Sequence, residues 1–145
     1  MAMRQISVFV ENKPGRMAKI TAVLAAGNID IRALSLADTN DFGILRMIVD
    51  KPDQAVTCLK GANITVSITE VIGIGISDTP GAFSYALEKL GAVGIDVEYM
   101  YAFLSRDSGK AFVILRVKEI DQAVKVLEAA GVEILSPASF ARAQI

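Results

Sequence analysis

The chain has 145 residues, is 52% hydrophobic and carries a formal net charge of −1. That suffices for one ordinary domain or two small ones packed together, with a dense core and no disposition to disorder. Basic residues are scattered, so nothing steers the surface towards nucleic acid or anionic lipid. The single cysteine, Cys58, excludes an internal disulfide and reads as a small core hydrophobe. The absence of histidine removes the usual general base and the Cys/His zinc sets. No apolar run approaches the ~18 residues of a membrane span, and the first residues show no signal-like apolar core. The expectation is a cytoplasmic protein without membrane contact, cofactor or metal.

Residues 4–10 alternate at Ile6, Val8 and Val10, which predicts a strand. The turn Glu11-Asn12-Lys13-Pro14-Gly15 follows, and Met17, Ile20, Val23 and Leu24 then recur at helical spacing. Gly27-Asn28 stops that helix, since both residues tolerate a left-handed cap. A strand is expected over 29–37, a polar turn over 38–41, and a third strand over 43–50 whose continuous apolarity places it inside a sheet. Pro52 opens a helix carrying Ala55, Val56 and Leu59. Gly61-Ala62-Asn63 closes it, and 64–69 reads as a fourth strand.

The order then restarts: a strand over 71–76, the turn Ser77-Asp78-Thr79-Pro80-Gly81, and a helix marked by Phe83, Ala86, Leu87 and Leu90. Gly94 ends that helix. Strands over 95–103 and 110–117 flank a turn at 106–109, followed by a helix over 120–130 and a strand over 132–135. The letters repeat as well. Asn28-Ile29-Asp30-Ile31 matches Gly94-Ile95-Asp96-Val97 at an offset of 66, and Asp53-Gln54-Ala55-Val56 recurs as Asp121-Gln122-Ala123-Val124 at an offset of 68. The two extra residues fall in the turn between second and third strands. The fold class is therefore α+β: two ferredoxin-like βαββαβ repeats, 1–69 and 70–145, each an antiparallel sheet with both helices on one face. Thr69-Glu70 reads as a linker too short for independent tumbling.

Each repeat places a short polar residue, Asn12 or Asp78, two positions before Pro-Gly at a strand-to-helix turn. Proline fixes its own φ and glycine permits a tight turn with nothing projecting. The first amides of the helix can then face an anion. The plainer reading makes Asn12 and Asp78 helix caps, Asn28 a left-handed terminator, and Met17 and Phe83 core residues. Lys13, Arg16 and Lys19 could attract an anion or form a solvated face. Tyr99, Met100, Tyr101 and Phe103 read as sheet or interface packing. Gly73-Ile74-Gly75 lacks the third glycine of a dinucleotide fingerprint and lies within a strand; a bend or close approach of another strand fits better.

Val8 through Gly15, Leu24 and Gly27 through Ile31, with Asp78 through Gly81, Leu90 and Gly94 through Val97 in the second half, resemble the ACT domain, an amino-acid-sensing module of metabolic enzymes. The resemblance covers nearly the whole chain, leaves no catalytic domain and so implies a free-standing tandem-ACT protein. It implies a ligand at a domain interface. Asn12 would bond the ligand's carboxylate or amine, Gly15, Arg16 and Met17 would offer amides, and Asn28 would reach across from a facing domain. Lys13 and Pro14 complete that turn, and Asp78, Thr79, Pro80, Gly81 and Phe83 would form its second copy. Serine-sensing members carry a histidine where Val10 stands here, and two asparagines where the second repeat has Asp78 and Gly94.

The expected function is non-catalytic, allosteric regulation through a small amino acid or related carboxylic acid. The expected partners are an enzyme of amino-acid metabolism and a second copy in a homodimer. A structural or adaptor subunit with decayed sites is the alternative, motivated by the second repeat. RNA binding through an exposed sheet face shares the topology but lacks a basic balance. An enzyme lacks any acid–base or nucleophile constellation.

Overall fold

A computed structural model describes residues 2–38, 41–104 and 109–138. The alternation of Ile6, Val8 and Val10 turns one face of β1 (Met3–Glu11) inward. Helix α1 (Arg16–Ala26) presents Ile20 and Leu24 to that face. The chain returns through β2 (Ile31–Asp38) and β3 (Phe42–Val49), then α2 (Pro52–Gly61). Next come β4 (Val66–Ser77), α3 (Ala82–Ala92), β5 (Tyr99–Leu104), β6 (Lys110–Arg116), α4 (Ile120–Ala129) and β7 (Glu133–Leu135). It divides into two compact units, Arg4–Thr69 and Glu70 onward, the latter including Ala2 and Met3.

In the first unit β3 lies between β2 and β1, antiparallel to both, with Met47 opposite Leu34 on one side and Ile6 on the other. This is the interior position its apolarity predicts. Phe9 N–H donates to Thr65 O at 3.4 Å on the far side of β1. Ile6, Leu24, Leu45, Met47 and Leu59 are fully buried between sheet and helices. Truncating one such leucine to alanine costs about 2–5 kcal/mol. The second unit repeats the plan: β6 lies between β5 and β4, and β7 pairs with the other side of β4. Its core centres on Ile72, Ile74, Leu90, Leu115 and Leu127.

Strand bounds differ from the sequence reading in several places. Residues expected as two strands about a Thr69-Glu70 linker form one strand, β4. Neither residue breaks a strand, and Glu70 O accepts a 2.7 Å hydrogen bond from Arg116 Nη1. Strand β2 begins at Ile31 rather than 29, because Asn28 is left-handed (φ 57°) and Asp30 N–H is drawn to Asp50 Oδ1 at 2.9 Å. The expected turns at 38–41 and 106–109 lie partly outside the described residues.

Helix ends explain much of the repeat. Ile29 N–H and Ile64 N–H each reach back to the carbonyl five residues earlier, Leu24 and Leu59. The intervening residue in each case, Asn28 or Asn63, has φ near 60°. The second repeat places Gly94 and Gly131 at the matching positions, φ 76° and 80°. Asparagine and glycine are the two residues that enter this conformation most readily, so the swaps preserve backbone geometry. Cys58 is half-buried, and its sulfur would stand 2.6 Å from a Cβ added at Gly27, which accounts for that glycine. Gly91 lies inside α3 with open space beside it, whereas Gly94 has positive φ. Gly91→Ala should therefore raise stability by about 0.5–1 kcal/mol, and Gly94→Ala should lower it by about 1–2 kcal/mol. Paired denaturant melts read both signs.

Candidate functional site

Both Pro-Gly turns fold alike because Pro14 and Pro80 precede glycines held at φ 87° and 89°, Gly15 and Gly81. Each glycine is itself the N-terminal cap of the following helix, and neither helix has a side-chain cap hydrogen bond. The plainer reading of Asn12 and Asp78 as caps is thus replaced: a glycine occupies the capping position, so the first-turn amides receive nothing from it. A Cβ built on either glycine meets no atom within 4 Å. The turns are exposed, and helix N-termini favour anions by about 0.3–1 kcal/mol at exposed sites.

At the first turn Asn12 N–H donates to Asp41 O at 3.4 Å and Lys13 N–H to Glu11 O at 2.8 Å. Arg16 N–H donates to Lys13 O at 3.3 Å, so one of the three amides implied by resemblance is already engaged. Glu11 Oε2 lies 3.1 Å from Lys13 Nζ and 3.6 Å from Arg16 Nη2. The Lys13 hydrogen bond first, then the charges of Lys13 and Arg16, hold the Glu11 carboxyl below its ordinary range. Met17 is half-buried against the first core. Asn28 stands apart, at the other end of α1, where its carbonyl accepts from Lys51 Nζ at 2.6 Å. At the second turn Asp78 N–H donates to Gly109 O at 2.8 Å and Thr79 Oγ1 lies 3.2 Å from Ser77 Oγ. Phe83 packs half-buried against the second core.

Beside the first turn lies a cleft of about 340 Å³ within the first unit. Glu11, Arg16 and Lys19 supply its charges, and Phe9, Ile20, Phe42 and Ile64 much of its apolar wall, with Asn63 and Thr65 at the chain segment entering β4. The Phe9 and Phe42 rings meet edge to face, centroids 5.9 Å apart. Such a volume falls within the range of small-molecule sites. Of the expected site residues only Arg16 lines it. The others were missed because Asn63 reads as part of a helix stop, Ile64 and Thr65 as the start of a strand, Phe9 as an off-core strand position and Phe42 as a residue between a turn and a strand. Among the described residues, no cluster of three metal-ligating side chains occurs, and no helix is long and apolar enough to cross a membrane.

The duplicated βαββαβ plan with its paired turns defines a tandem of two small ferredoxin-like modules. Residues 1–141 match the ACT domain pair, and the chain belongs to the ACT domain family. A crystallised protein from Bacteroides thetaiotaomicron is 40% identical over 98% of this chain and 97% of that one, with a TM-score of 0.92. The ligand-free regulatory subunit of aspartate kinase from Thermus thermophilus is 16% identical over 88% and 91% of the two chains, with a TM-score of 0.63. Aspartate kinase from Synechocystis is 20% identical, matching 92% of this chain and 26% of its own, with a TM-score of 0.61. The latter two likenesses concern the fold alone. Comparison with curated proteins gives no match. ACT domains are regulatory modules.

The Glu11 contacts have a titratable signature. A carboxyl held low in the folded state contributes stability above its unfolded pKa and loses it as pH falls through the depressed value. Carboxyl-carbon NMR should place the Glu11 midpoint below that of an unpaired glutamate, and Lys13→Ala should move it upward.

Proposed function

We propose that the chain is a non-catalytic regulatory protein that binds a small amino acid, or a related carboxylic acid, at its Pro-Gly turns. The observation that carries this reading is a helix begun by glycine, without a capping side chain, opening on free space beside Lys13 and Arg16. The ligand carboxylate accepts from the amides about Gly15 and Met17 and is favoured by those two cations. Asn12 bonds the carboxylate or amine, and Pro14 holds the turn. Asn28 is a further candidate contact, though its backbone conformation alone accounts for its residue type. In the second turn Thr79, Pro80, Gly81 and Phe83 form the matching surface, while Asp78 favours an ammonium over a carboxylate.

Ligand binding to the folded state stabilises it by mass action. The same free energy is available to change contacts with a partner, which we take to be an enzyme of amino-acid metabolism. Membership of a regulatory family and the absence of histidine support a role without chemistry of its own. Strand β2 lies at one end of the strand order, and Leu34 and Leu36 are 56% and 50% exposed although they face buried Met47 and Leu45. An open strand edge with exposed leucines suits pairing with a second copy. A homodimer should sediment at micromolar concentration; a monomer there contradicts this. A structural or adaptor role is the second reading, favoured by a second turn that retains only Asp78 as a charged residue.

Thermal-shift screening against the twenty amino acids tests the leading reading. At a ligand concentration about 100 times Kd the stabilisation reaches about 2.7 kcal/mol, and Asn12→Ala should reduce the shift. No shift with any amino or related acid, together with wild-type behaviour of Asn12→Ala, leaves the adaptor reading.

A further inference from the structure

The two repeats can be compared position by position around the cleft, because helix starts correspond at an offset of 66 and later elements at 68. Lys19 corresponds to Tyr85, Phe9 to Gly75, Phe42 to Lys110, Asn63 to Gly131 and Thr65 to Glu133. In the second repeat these substitutions act together. Tyr85 Oη donates to Ala130 O at 2.9 Å, strapping α3 to the end of α4. Lys89 Nζ lies 5.1 Å from the Tyr85 ring centroid. Glu133 Oε2 takes the space over Gly75, 2.9 Å from where a Cβ would stand, and is 3.3 Å from Lys110 Nζ. The place that is a cleft in the first repeat is therefore walled differently in the second, where both phenylalanines are gone and a tyrosine and an ion pair stand instead. The charges diverge likewise: Glu11, Lys13 and Arg16 become Ser77, Thr79 and Ala82.

We propose that the first repeat alone takes a ligand, an α-amino acid with a large apolar side chain seated in the cleft beside Gly15. Its carboxylate lies against Arg16 and Lys19, its ammonium against Glu11, and its side chain against Phe9, Ile20, Phe42 and Ile64. This rests on the amino-acid-binding reading above and narrows it to one site and one class of ligand. The charge set decides between ligand types. Arg16 and Lys19 outnumber Glu11 in the cleft, so a carboxylate is attracted, while Glu11 rewards a neighbouring ammonium. The wall of Phe9, Ile20, Phe42 and Ile64 rewards a side chain large enough to cover it, by burial of apolar surface. Glycine and serine leave most of the wall uncovered.

Isothermal titration calorimetry on the full chain, with L-leucine, L-phenylalanine, glycine and 3-phenylpropionate as probes, tests this. The expected result is one molecule of leucine or phenylalanine per chain, with glycine and 3-phenylpropionate weaker. Lys19→Tyr and Thr65→Glu, which install the residues that stand at those positions in the second repeat, remove one cleft cation and add a carboxylate, and should each weaken binding about tenfold or more with an unchanged melting temperature. Tyr85→Phe should leave stoichiometry and affinity as they are. Two molecules per chain, glycine bound as tightly as leucine, or both cleft variants binding as wild type would overturn the cleft assignment while leaving the broader amino-acid reading intact. If no amino acid and no related carboxylic acid binds, 3-phenylpropionate included, both fall together.

Discussion

A helix that starts on a glycine is the constraint from which the site follows. Pro14 limits the approach of the chain, and Gly15, at φ 87°, reverses it in a conformation that a side chain would strain. The usual helix start spends a serine or aspartate side chain on the orphan amides. Here the capping residue has none to offer, and the space in front is open. The arrangement forgoes only about 0.3 kcal/mol of capping stability, because glycine is itself a tolerated cap, and leaves donors directed outward. Whether those donors become a binding site then depends on the side chains placed around them.

The two repeats answer that question differently on one backbone. Gly15 and Gly81 share a conformation, as do Asn28 with Gly94 and Asn63 with Gly131. Buried positions also correspond, Leu24 with Leu90 and Leu59 with Leu127. What changed lies on the surface. The first repeat keeps two cations, an acid and two outward phenylalanines about an open cleft, and the second has a tyrosine strap and an ion pair at corresponding positions. Exposed ion pairs contribute little to stability, so Lys110 and Glu133 matter here because they stand where the first repeat has Phe42 and Thr65.

The fold was legible because its determinants are local and periodic. Alternating Ile6, Val8 and Val10, the helical spacing of Ile20 and Leu24, and the glycine and asparagine stops each report backbone conformation directly. The turns were legible for the same reason. The continuity of β4 was not: Thr69-Glu70 coincides with the repeat boundary, and a boundary in pattern is not a break in hydrogen bonding. The cleft was illegible because Phe9, Lys19, Phe42 and Thr65 meet only through tertiary packing. Asn28 takes the left-handed conformation that its place as a helix stop predicts, yet a residue chosen for its backbone looks the same in a sequence as one chosen for its amide.

The most direct test is an amide-resolved NMR titration of the full chain with L-leucine. The account predicts that the Met17 and Ala18 amides, in the first turn of α1, shift in proportion to occupancy while those of Phe83 and Ser84 stay in place. Saturable binding that leaves Met17 and Ala18 unmoved would contradict it.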